Sequence, residues 1–153
     1  MSPPTDGVAL YKIRNDKSSM YATLVDNTPH QFITQSHDMG SESQIWQVSY
    51  DAETGIATIK NLATGNYATV DDLTYYVVGD TIPREFELYD VTGEGSNFII
   101  NLKNSDRVWH TSGTSEGDKL WVKIYYDSTD PADLWSFVLQ PGVVSEGEGT
   151  PPL

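Results

Sequence analysis

The tripeptide Tyr-Ala-Thr occupies positions 21–23 and returns at 67–69. A repeat constrains the fold more tightly than composition does, because every copy has to build the same supersecondary unit. The flanks repeat as well. Tyr11-Lys12-Ile13-Arg14-Asn15 starts ten residues before Tyr21, and Ala57-Thr58-Ile59-Lys60-Asn61 starts ten before Tyr67. A third alternating run, Phe98-Ile99-Ile100-Asn101-Leu102, stands ten before Val108, so Val108-Trp109-His110 reads as a diverged copy of Tyr-Ala-Thr. Each unit closes alike, at Gln44-Ile45-Trp46-Gln47-Val48, Arg84-Glu85-Phe86-Glu87-Leu88 and Asp133-Leu134-Trp135-Ser136-Phe137. A large aromatic followed by an apolar residue two positions on is the period of a strand with one buried face.

Turn-forming clusters separate these runs: Asp51–Gly55, Ala63–Asn66, Thr92–Ser96 and Ser112–Gly117. No stretch carries a convincing helical period. The expectation is an all-β chain of three four-stranded repeats, about twelve strands with pseudo-threefold symmetry. Closing the sheet removes the exposed edges that an open all-β chain would present. One domain is expected over 8–139, with repeats at about 8–50, 51–91 and 92–139 and flexible tails at 1–7 and 140–153. Trp46, Phe86 and Trp135 should be equivalent core residues, joined by Ile13, Leu24, Ile59, Val70, Ile100, Val122 and Ile124.

Composition narrows the function. Twenty-two acidic residues against nine basic ones give a net charge of −13, which opposes binding to nucleic acid and to anionic membranes. No run approaches the ~20 apolar residues of a membrane span, so membrane insertion is not expected. The chain has no cysteine, which excludes disulfides and thiolate metal sites. The first twenty residues carry no secretory signal pattern and no Asn-X-Ser/Thr acceptor occurs, so the expected location is cytoplasmic. Nine tyrosines and four tryptophans suit both strands and stacking surfaces.

Three repeats of this length, each closed by a Gln-X-Trp-like strand, resemble the ricin-B-type (R-type) β-trefoil family, and within it the small single-domain fungal lectins. The resemblance covers about residues 8–139, with the signature intact at Gln44-Ile45-Trp46. It implies a β-trefoil and a non-catalytic carbohydrate-binding function with no cofactor. The implied partners are glycans of glycoproteins or glycolipids; the oligomeric state is left open, a homodimer included. The family site combines an Asp on the second strand, an aromatic ending the third strand, and an Asn just before Gln-X-Trp. Laid on repeat three, those positions are His110, Tyr125 and Ala132. Thr23 and Thr69 stand at the Asp position of the other repeats, so no repeat has the full triad.

Two surfaces are candidates for carbohydrate. Repeat three offers Trp109, His110, Trp121, Tyr125 and Tyr126. Alternation along Leu120–Tyr125 puts Val122 and Ile124 inward and Trp121, Lys123 and Tyr125 outward, and Trp109 is expected off the core beside them. Repeat two offers Asp71, Asp72, Tyr75 and Tyr76, carboxylates beside aromatic faces. The histidines show no metal-ligand spacing, and none has an evident acid partner, so neither a metal nor a catalytic site is expected. The alternative function is a β-trefoil protease inhibitor presenting the loop Val25-Asp26-Asn27-Thr28-Pro29-His30.

Overall fold

The computed structural model describes residues 4–125 and 130–141. Among them are thirteen strands. Lobe one holds β1 (Gly7–Asn15), β2 (Tyr21–Thr23), β3 (Gln31–Phe32), β4 (Thr34–Ser36) and β5 (Trp46–Asp51). Lobe two holds β6 (Ile56–Asn61), β7 (Tyr67–Val70), β8 (Val77–Asp80) and β9 (Phe86–Asp90). Lobe three holds β10 (Phe98–Leu102), β11 (Arg107–His110), β12 (Trp121–Ile124) and β13 (Trp135–Leu139). The only helical elements among the described residues are single 3-10 turns at Glu42–Gln44 and Pro131–Asp133. The count exceeds twelve because the third strand of lobe one changes partner at Ile33: β4 pairs with β2, but β3 pairs with β8 of lobe two.

Six strands close a barrel. Antiparallel pairing runs from β1 to β5, β6, β9, β10, β13 and back to β1. The hairpins β2–β4, β7–β8 and β11–β12 cover one end. They meet in a cyclic set of backbone hydrogen bonds. Ile33 N–H donates to Val77 O, Val77 N–H to Leu120 O, and Leu120 N–H to Ile33 O, at 3.0, 2.9 and 3.0 Å. All three side chains are fully buried, so these residues plug the barrel end. This is a β-trefoil.

The repeat register sets the core. Trp46, Phe86 and Trp135 are fully buried at equivalent positions, and the indole N–H groups of Trp46 and Trp135 donate to Ala22 O and Trp109 O at 3.0 and 3.1 Å. Ile13, Leu24, Ile59, Val70, Ile100 and Val122 are buried as expected, whereas Ile124 is half-buried. Buried asparagines staple neighbouring lobes. Asn61 Nδ2 donates to Ser43 O, and Asn15 Nδ2 to Ala132 O. A backbone bond is common to all three junctions, from Asp16, Leu62 and Lys103 N–H to Leu134, Ile45 and Glu85 O; at the third, Leu102 replaces the asparagine and the Lys103 ammonium bonds the Glu85 carboxylate instead. The N-terminal segment is tied down from Thr5: its N–H donates to the Tyr11 hydroxyl, Asp6 accepts from Ala52 N–H, and Gly7 pairs with Tyr50. The remainder of the expected tails, 1–3 and 142–153, lies outside the described residues.

Candidate functional site

One residue before each plug residue, the chain alternates outward. Those residues are Phe32, Tyr76 and Lys119, gathered at the pseudo-threefold axis. The Phe32 and Tyr76 rings meet edge to face at 5.1 Å, and Lys119 Nζ sits 4.0 Å from the Phe32 centroid and 5.3 Å from that of Tyr76. One residue beyond each plug come Thr34, Val78 and Trp121, bridged to Lys119, Phe32 and Tyr76 respectively. Only lobe three has an aromatic there. A cleft of about 500 Å³ opens between lobes two and three, lined by Tyr76, Trp121, Lys119, Ser112, Asp118 and the glycines 113 and 117.

The rim loop 111–118 is held from another lobe. Gln35 is buried in β4; its Nε2 donates to Gly113 O and Ser115 O at 3.2 and 3.1 Å. Its backbone exchanges hydrogen bonds with Gly117 and Asp118. Asp118 folds back so that Oδ2 accepts from Ser115 N–H at 2.9 Å. Gly113 permits this, since a Cβ there would stand 2.1 Å from Asp118 Oδ2. The loop spells Gly113-Thr114-Ser115-Glu116-Gly117, a Gly-X-Ser-X-Gly string that sequence reasoning overlooked. That motif makes a nucleophile on a strand-to-helix turn. Here it is a strand-to-strand loop, and the Ser115 backbone braces Asp118, so the string carries no nucleophile elbow.

Trp121 is fixed in place. Its Nε1 donates to Ser112 Oγ at 3.1 Å, and the His110 ring meets it edge to face at 5.2 Å. His110 is buried, with Nδ1 donating to Asp133 Oδ1 at 2.6 Å. An acid partner therefore exists, contrary to the sequence expectation; it stands 23 residues further on and has no local signature. Asp133 is fully buried, and Lys123 Nζ faces its other oxygen at 3.3 Å. The Ala132 N–H bonded to Asp130 holds that carboxyl below the ordinary value, and the Lys123 charge adds to the effect against partial burial. His110, Asp130 and Asp133 bring ligand atoms within 4.8 Å of one another, but Lys123 supplies the positive charge a metal would bring. This is an ion-paired network.

The sequence candidates therefore divide. Trp109 is corrected: it is fully buried, with its ring edge to face against Phe86 and Trp135, each at 5.7 Å. It is the counterpart of Ala22 and Ala68, both buried, and that correspondence was the available signal. Trp121 lines the cleft with His110 behind it. Tyr125 is half-buried at the far end of the strand, where its N–H bonds Asp106 O. Four residues of strand put it about 13 Å from Trp121, with Lys123 between, so the two do not form one patch. Tyr126 lies outside the described residues.

In lobe two, Asp71 closes a turn. Its carboxyl is held low first by the Leu73 N–H, which donates to it at 2.9 Å. Asp72 pairs with Arg84 at 3.0 Å, and Tyr75, at a positive φ of 67°, is covered by the Arg107 guanidinium 3.6 Å from its ring. Only Tyr76 of this group reaches the cleft. The structure thus joins one residue from each of two surfaces read as separate, and adds Phe32, Lys119, Ser112 and Asp118. The loop Val25–His30 is exposed, with Asn27 O accepting from Asn66 Nδ2 at 3.1 Å.

No protein-family model and no curated protein matches the sequence. Solved structures do. A Macrolepiota procera ricin B-like lectin in complex with lactose superposes with a TM-score of 0.77 at 16% identity, covering 91% of this chain and 100% of that one. A designed threefold-symmetric protein, ThreeFoil, gives 0.75 at 16% identity over 84% and 97%. A Polyporus squamosus lectin bound to a Neu5Ac-Gal-GlcNAc epitope gives 0.73 at 12% identity over 88% and 50%. At these identities the likeness establishes the fold, a β-trefoil of the kind seen in ricin B-like lectins.

Proposed function

We propose that this protein is a lectin whose glycan site is the cleft between lobes two and three. The observation that carries this reading is the fixed Trp121 indole beside Tyr76, rimmed by hydroxyl, carboxylate and ammonium groups. A pyranose has one C–H-rich face and an edge of hydroxyls, so an aromatic plane next to rigid donors and acceptors matches it. The structural neighbours bound to lactose and to a sialylated epitope support glycan recognition on this fold. The reading is of binding without turnover. Glycoside hydrolysis uses two carboxyl groups flanking the scissile bond, and Asp118 is the one carboxylate among the described lining residues. The setting we attach to it is that of a cytoplasmic, fungal-type defence lectin meeting glycoprotein or glycolipid glycans.

A glycan array followed by calorimetry on the strongest binder tests the site. Trp121→Ala should weaken binding about tenfold, the effect of one aromatic contact of ~1 kcal/mol or slightly more, with Tyr76→Ala next. Tyr125→Ala is the counter-test. If it removes binding while Trp121→Ala does not, the site lies at the far end of β12.

A further inference from the structure

We infer that the cleft takes a saccharide bearing an anionic group, a carboxylate or a sulfate, with Lys119 as its counter-ion. This deepens the glycan-binding reading and rests on it. Leu120 plugs the barrel and Lys119 pairs with Thr34, so the lysine side chain is forced outward onto the rim. The Phe32 and Tyr76 rings then hold its ammonium at 4.0 and 5.3 Å from their centroids. An ammonium carries three donors. Ring faces attract the charge but leave hydrogen-bonding capacity for a ligand.

No carboxylate among the described residues lies within ion-pair distance of this ammonium. Lys12, Arg84, Lys103 and Lys123 each lie within ion-pair distance of a carboxylate; Lys119, like Arg14, Lys17, Lys60 and Arg107, makes no such pair among the described residues, and it alone of these five lines the cleft. Its neighbour Asp118 also lines the cleft but makes no ion pair with it; Oδ2 is engaged by Ser115 N–H and lies 3.4 Å from Gln35 Nε2. Lys119 is also the one basic residue lining the cleft among the described residues. Phe32 and Tyr76 occupy the two equivalent positions of the other lobes, so the lysine is the point at which this surface departs from an aromatic triad.

The spacing fits a charged sugar. Lys119 and Trp121 are two residues apart and face the same way, about 7 Å along a strand. A pyranose over the indole spans that gap with one exocyclic anionic group and a charge-assisted hydrogen bond of about 2.8 Å. The net charge of −13 repels anions at long range, but screening beyond ~8 Å at physiological salt leaves the local ammonium to decide.

The experiment is calorimetry or a quantitative array with matched pairs. One pair is a glucuronate-terminated disaccharide and its carboxyl-reduced form; the other is 6′-sulfated lactose and lactose. The expected result is about fivefold tighter binding of the charged member, the size of an exposed ion pair, shrinking as salt is raised. A preference confined to one pair supports the inference and names the anion. Lys119→Gln should erase the preference and Lys119→Arg retain it, with unchanged thermal unfolding showing that both variants are folded. Equal affinity within both pairs, together with loss of both on Trp121→Ala, keeps the glycan site and overturns the counter-ion assignment. A preference that survives Lys119→Gln overturns it as well. Absence of binding to all four sugars and across the array overturns both readings.

Discussion

Lobes one and three share a backbone and differ in how they fill it. Ahead of the closing tryptophan, lobe one has Gln44. Its amide donates to Thr23 Oγ1 and His37 O at 3.2 and 2.6 Å and accepts from Met39 N–H at 2.8 Å. Lobe three has Asp133 at that position, His110 in place of Thr23, and Lys123 opposite. A neutral side chain satisfied by its own lobe has become a buried charge held by two partners. The strand interior is exchanged too. Ala22 and Leu24 of lobe one become Trp109 and Thr111, so the large residue moves two places along the same strand. The repeat conserves where side chains point, while volume and charge are free to migrate within a lobe. Lobe three used that freedom to raise an indole, Trp121, onto a surface where lobe one keeps Thr34.

The closers test whether the two lobes are energetically alike. Trp46→Ala and Trp135→Ala should each destabilise by about 3–5 kcal/mol, the range for deleting a fully buried large aromatic, as read by chemical denaturation. A difference beyond that range would show that one lobe carries the core and the other merely copies it.

Asp133→Asn probes the exchanged polar site. It leaves His110 and Lys123 without their anion and should cost about 1–3 kcal/mol, the penalty for unpairing buried polar groups. It should also loosen Trp121, whose fluorescence would report the change, because His110 supports the indole. An unchanged stability would mean that Asp133 is no more than a shape match for Gln44.

The smallest effect has the opposite sign. Thr111 Oγ1 is buried and has no hydrogen-bond partner among the described residues, and its lobe-two counterpart is Val70. Thr111→Val keeps the shape and removes the unsatisfied hydroxyl, so it should stabilise by about 1 kcal/mol. A loss of stability would show that the hydroxyl is satisfied in solution.

The strand register and the three closers were legible because alternation writes burial at a period of two, and Trp46, Phe86 and Trp135 announce themselves by size. Trp109 was misread because it was grouped with the outward aromatics Trp121 and Tyr125 of the neighbouring strand, while its register beside Ala22 and Ala68 already pointed inward. The cleft itself was not legible. Tyr76 and Trp121 stand 45 positions apart and meet only because plug residues from different lobes hydrogen-bond in a ring. No local pattern encodes that meeting. Spacing from His110 pointed to Tyr125, which stands one residue past the end of β12, and could not tell which end of that strand borders a neighbouring lobe.

The ring of hydrogen bonds through Ile33, Val77 and Leu120 has a kinetic consequence. Each N–H finds its acceptor in the next lobe, so the cap cannot be assembled one lobe at a time. A chain with only two lobes in place has one of the three links made, with a donor and an acceptor left facing an open barrel end. Closure must bring position 33 against position 120, a separation that places folding among slow, non-local topologies, on the order of milliseconds to seconds. The threefold repeat thus yields no threefold modularity: the third lobe completes a circuit that neither of the others can close.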